Sequence, residues 1–260
     1  MKSPVRTTFA ALLISTFPAY ADTSAVIPSA NWPDGFTTRV EALALLQTLN
    51  AQLLSSDSAT ATLERWCADH QLSGQPRIVA ERVAGVEKSP TAEQRRDLGA
   101  TEGVPVRYRH VRLLCGSSIL SEADNWYLPG RLTPEMNDLL EKTNTPFGKA
   151  VQALHFQRHT ISAKLLWQPL PESWELSSDA RSEDAASLPW APDYPDRRKA
   201  LPLPPHVLEH RAVLSLPDGT PFSEVVETYT RNVLAFPCPC VPEVWVLARR
   251  PHPLHDGTKP

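Results

Sequence analysis

The chain has 260 residues and a formal net charge of −3. Nothing in that balance suggests the concentrated basic footprint of a nucleic-acid-binding protein, and a hydrophobic fraction of 42% supports a folded core. The 26 prolines against 10 glycines require irregular stretches, and four cysteines are too few for a disulfide scaffold.

Residues 1–21 have the layout of a secretory signal. Lys2 and Arg6 form a basic region, residues 9–14 an apolar run too short to span a bilayer, and Ala19-Tyr20-Ala21 a small-x-small cleavage site. The expected location is therefore periplasmic or secreted, or cytoplasmic if the start is misassigned. No later stretch is apolar enough for a span, so the mature chain is expected to lack one. Phe36, Val40, Leu43, Leu46, Leu49 and Leu53 recur at helical spacing and predict a helix over 36–54. Asp57 and Ser58 are N-cap candidates for a second helix carrying Leu63, Trp66 and Cys67. A first strand is expected over 77–86, and residues 87–103, charged and polar, are expected to form a connection.

Residues 104–115 alternate as a strand, with Arg109, Val111 and Leu113 on one face and His110, Arg112 and Leu114 on the other. After a turn, 119–129 returns as a second strand. Thr133-Pro134 and Thr145-Pro146 each place proline at a helix start, and 156–167 predicts another strand. Residues 168–205 hold eight prolines and several acids, the composition of a long surface insertion. Two β-rich runs then flank Asp218-Gly219, a pair that tolerates the positive φ of a hairpin turn. On the returning run Val225, Glu227 and Tyr229 share one face, which is either a solvated surface or the wall of a pocket. Residues 237–260 form a tail containing proline, cysteine and histidine.

The common hydrolase, metalloprotease and phosphate-loop motifs are absent. Cys238, Cys240, His252 and His255 lack the spacing of a structural zinc site, so no metal or cofactor is expected. In an exported protein the cysteines would pair, either Cys67 with Cys115 or Cys238 with Cys240. The strand arginines and hairpin acids suit a small aromatic or cyclic carboxylic acid. A guanidinium binds a carboxylate through two donors, and a carboxyl group can exchange a proton with a ligand oxygen. The expected state is a monomer without a nucleic-acid partner.

Four segments in order resemble the chorismate pyruvate-lyase family, which makes 4-hydroxybenzoate for ubiquinone biosynthesis, and its relatives among regulator effector-binding domains. They are residues 53–60 (Leu-Leu-Ser-Ser-Asp-Ser-Ala-Thr), 109–115 (Arg-His-Val-Arg-Leu-Leu-Cys), 123–129 with Thr145-Pro146-Phe147-Gly148, and Gly219-Thr220-Pro221 with Glu227-Thr228-Tyr229. The resemblance implies an α+β fold: an antiparallel sheet with helices packed on one face around an enclosed ligand pocket, spanning 22–236 with the insertion at 168–205. It also implies a lyase that converts chorismate to 4-hydroxybenzoate and pyruvate without a cofactor, or a binding protein that has kept the fold and lost the chemistry. Arg109 and the Phe147 amide would hold the ring carboxylate, and Glu227 would act at the far oxygen. Ala59 stands where the family has methionine, and Phe147 where it has leucine. Arg112 or His110 is the alternative to Arg109, and Glu224 the alternative to Glu227.

Overall fold

The structure, a computed structural model, describes residues 32–176 and 200–237. The signal-like segment, positions 177–199 of the insertion and the tail from 238 onward lie outside the described residues. Six strands form one antiparallel sheet: β1 (Ile78–Arg82), β2 (Arg107–Cys115), β3 (Ser118–Tyr127), β4 (Gln157–Leu165), β5 (His206–Ser215) and β6 (Pro221–Thr230). Their spatial order is β1-β2-β3-β6-β5-β4. The fold is thus α+β, with an antiparallel sheet and helices against it. The β5–β6 hairpin turns where the sequence places it, and Gly219 takes a φ of 85° there, a conformation that costs glycine nothing.

Helix α1 (Phe36–Leu54) buries Ala42, Leu46, Leu49 and Leu53, one stripe at three- and four-residue spacing. Each leucine so buried contributes roughly 1.5–3 kcal/mol. Helix α2 (Ala59–Asp69) starts at Ser58, whose side chain accepts from the Ala61 amide. Both helices pack on the sheet face that carries Val111, Leu113, Ala123, Val225 and Tyr229, and together these form the main core. Helix α4 (Pro134–Lys142) and the single turn α5 (Phe147–Ala150) follow the two Thr-Pro pairs, and their Met136, Leu140 and Phe147 form a second cluster with Tyr127 and Phe222.

Two expectations need correction. The segment 87–103 is not only a connection. It holds helix α3 (Ala92–Asp97), closed by a capping box between Thr91 and Gln94, and that signal was present in the sequence. This short helix faces the opposite side of the sheet, where Arg211 pairs with Glu93 and Asp97. Nor is the insertion a surface appendage throughout. Near its two ends Leu170 and Leu201 are buried, the Leu201 amide donates to the Trp32 carbonyl, and Arg39 donates to the Pro169 carbonyl. The apolar residues at its margins outweigh the proline-rich average that suggested exposure.

A disulfide joins Cys67 at the end of α2 to Cys115 at the end of β2, with Cα atoms 6.3 Å apart, and both residues are fully buried. It locks the α1–α2 layer to the sheet. Cys238 and Cys240, the other expected pair, lie outside the described residues. Because the bridge closes a 48-residue separation, reducing it should cost about 4 kcal/mol through chain entropy. Urea unfolding with and without reductant measures this, and coincident midpoints would show that the bridge contributes nothing.

Candidate functional site

A cavity lies between the sheet and the starts of α2 and α5. Strand register explains which side chains reach it. Arg109 pairs with Asn125, and Asn125 with Val225. Val111 pairs with Ala123, and Ala123 with Glu227. Every second residue of these strands therefore faces inward, and Arg109, Ala123, Asn125, Val225 and Glu227 all line the cavity. Ala59, Phe147 and Phe156 close it from the helix side. Its space for water is about 40 Å³, room for roughly three waters, and the whole recess, open mouth included, is about 510 Å³.

Arg109 is 4% exposed. Its Nη2 donates to the Thr145 carbonyl at 2.9 Å, while Nε and Nη1 are buried without a hydrogen-bond partner. Burial, and secondarily the charge of Arg82, lower the guanidinium pKa to about 10. Among the described residues no acid comes within ion-pairing distance of it. Phe147 is the first residue of α5, and a first-turn amide has no acceptor inside its own helix. Two strand spacings and two residues along the strand put the Arg109 and Glu227 Cα atoms roughly 12 Å apart, with both side chains reaching into the space between.

Glu227 is not isolated. Arg158 Nη2 donates to its Oε2 at 2.6 Å, and the two side chains are 4% and 8% exposed. The Tyr229 hydroxyl donates to the same oxygen at 3.2 Å. Burial, then the Glu227 charge, push the Tyr229 phenol well above its usual range, so it remains a neutral donor. Sequence reasoning missed Arg158. It lies in β4 between polar neighbours, and nothing in the alternation of 157–165 marks it as inward-facing.

The other expected site residues fall elsewhere. Arg112 lies on the opposite face, where its Nε donates to Glu122 at 3.2 Å. His110 bonds Asp124 on that same face. Glu224 is fully buried there and pairs with Arg211 at 2.7 Å. Odd and even positions of a strand cannot share a face, so Arg112, the reserve His110 and the reserve Glu224 are corrected out of the site. Among the described residues no group of histidine, cysteine or acidic side chains could hold a metal, and no helix is long and apolar enough to cross a membrane.

His210 pairs with Glu227 across the sheet and is fully buried, its Nε2 donating to Asn50 Oδ1 at 2.8 Å. Burial lowers its pKa to about 4. The folded protein therefore holds this proton less tightly than the unfolded chain, whose histidines titrate near 6.5. The stability from neutral His210 is complete above about pH 6.5 and is lost as pH falls toward 4, about 3 kcal/mol in all. Urea unfolding at the two ends of this window should show the loss in wild type but not in His210→Gln. Equal losses would place the titration elsewhere.

No family model matches the chain. It is 51% identical to the uncharacterized protein y4mC of Sinorhizobium fredii over 209 residues, 80% of this chain and 83% of that protein. The chain belongs to the y4mC family. Among solved structures it is similar to PhnF from Mycobacterium smegmatis, with a TM-score of 0.41 and 14% identity over 70% of this chain and 68% of that one. It is also similar to the possible transcriptional regulator YydK of Bacillus subtilis, with a TM-score of 0.34 and 13% identity over 61% of this chain and 60% of that one. In this member of the y4mC family, Arg109 and the Arg158–Glu227–Tyr229 group are buried polar features beside the cavity.

Proposed function

We propose that this y4mC-family protein binds a small aromatic or cyclic carboxylic acid in the cavity between the sheet and α2. One observation carries this: Arg109 is a buried cation whose Nε and Nη1 have no partner. A buried charge without compensation is costly and rare. A ligand carboxylate would accept from one of these nitrogens and supply the missing charge, with the Thr145 carbonyl fixing the guanidinium plane. At the other end, Glu227 accepts from Arg158 and Tyr229. A carboxylate held this way offers a ligand hydroxyl an acceptor. Phe147 and Phe156 supply apolar walls for a ring.

Export is part of this proposal. The signal-like start and the Cys67–Cys115 bridge both suit an oxidising compartment, and chorismate is made in the cytoplasm. The second reading is a chorismate pyruvate-lyase, favoured by Arg109 and Glu227 lining one cavity. Here the ring C3–O bond would break as the C4 proton leaves to solvent and the ring aromatises, while Glu227, first protonated beside Arg158, gives its proton to the departing enolpyruvyl oxygen. Purified mature protein incubated with chorismate separates the readings. The binder is expected to release neither pyruvate nor 4-hydroxybenzoate but to bind 4-hydroxybenzoate. Turnover that Glu227→Gln abolishes would establish the lyase.

A further inference from the structure

We propose that the cleft on the far side of Arg109 is a second anion site, shaped for a compact oxyanion of more than one charge, such as a phosphate monoester. The cleft measures about 620 Å³ and lies between β1, the 87–95 segment, the start of β2 and the end of α4. Arg109 lines both this cleft and the cavity, and no other residue is shared. This site goes beyond the carboxylate cavity and does not require it.

Charge carries the argument. Five cationic side chains line the cleft (Arg82, Lys88, Arg95, Arg107 and Arg109) against two acids, Glu87 and Glu141, in a chain whose overall charge is −3. Two of the bases are already answered, Lys88 by Asp124 and Arg107 by Glu141. The other three are not. Arg82 donates to the Glu141 carbonyl, Arg95 to the Val104 carbonyl and Arg109 to the Thr145 carbonyl. Each is oriented by a neutral oxygen and keeps its full charge. Among the described residues none of the three has an ion-pair partner. Arg109 adds a buried positive charge at the wall the cleft shares with the cavity. The positive charge of Arg82 already disfavours protonated Arg109, and an oxyanion between them would relieve that repulsion. The Arg82 and Arg95 guanidiniums supply donors of the geometry that phosphoryl oxygens accept, and Arg109 adds charge.

The test uses the mature protein and an Arg82→Gln/Arg95→Gln variant, neither position lining the cavity. Inorganic phosphate and glycerol 3-phosphate are titrated by calorimetry, and 4-hydroxybenzoate is titrated on the same samples. Vesicles of phosphatidylcholine with and without phosphatidic acid form a third arm, which decides whether the phosphate is free or on a lipid. The expected result is saturable binding of at least one phosphate probe, weakened tenfold or more in the double variant, with 4-hydroxybenzoate affinity changed by less than twofold. Wild type that binds no phosphate probe, or a double variant that binds as well as wild type, would overturn the second site. Loss of 4-hydroxybenzoate binding alone would count against the cavity and leave the cleft standing.

Discussion

Arg109→Met should weaken binding of 4-hydroxybenzoate by about 2–4 kcal/mol, the loss expected when a buried ligand charge is left without its partner. The same substitution should leave the empty protein as stable as wild type, or more so. Arg109 is buried, makes one hydrogen bond to Thr145 and leaves two nitrogens unpaired. Methionine keeps much of the aliphatic stem and removes the desolvated charge. Residues that serve only the fold do not behave this way, because removing them costs stability. Calorimetric titration and urea unfolding on the same pair of proteins measure both quantities. A variant that loses stability while keeping affinity would assign Arg109 to the fold.

Arg158 should behave in the opposite sense. Arg158→Met leaves the Glu227 carboxylate buried without its cation and is expected to destabilise the protein by about 3–5 kcal/mol. Burial disfavours the Arg158 charge, but the attraction of Glu227 outweighs it and raises the Arg158 pKa above its usual value, so the native state favours this charge. The paired change Arg158→Met/Glu227→Leu removes both charges and should recover most of the loss, since buried ion pairs are often replaceable by apolar side chains. Urea midpoints for the two single variants and the double variant form a complete cycle. If the double variant is as unstable as the sum of the singles, the pair is not coupled and the Glu227 environment is misassigned.

The two arginines also mark how far the sequence could be read. Period alone places α1 at Phe36–Leu54, and turn chemistry alone places the β5–β6 hairpin. Alternation on β2 puts Arg109 and Arg112 on different faces, but it does not say which face is inward. That choice depends on where α1 and α2 dock, which is a long-range contact. The same limit applies to Glu227 and Glu224, both buried and on opposite sides of the sheet. Arg158 was illegible because its partner lies 69 residues away on a non-consecutive strand. The reverse failure occurred at α3, where the Thr91–Gln94 capping box was local and readable but was outweighed by the polar composition around it. In the insertion, average composition concealed Leu170 and Leu201, two apolar residues that reach the core.

The most direct measurement is a crystal structure of the mature protein grown with saturating 4-hydroxybenzoate. The carboxylate is expected within hydrogen-bond distance of Arg109 Nε or Nη1, the ring between Phe147 and Phe156, and the hydroxyl toward Glu227. A cavity that holds only water at saturating ligand, or a ligand bound with its carboxylate away from Arg109, would contradict this expectation.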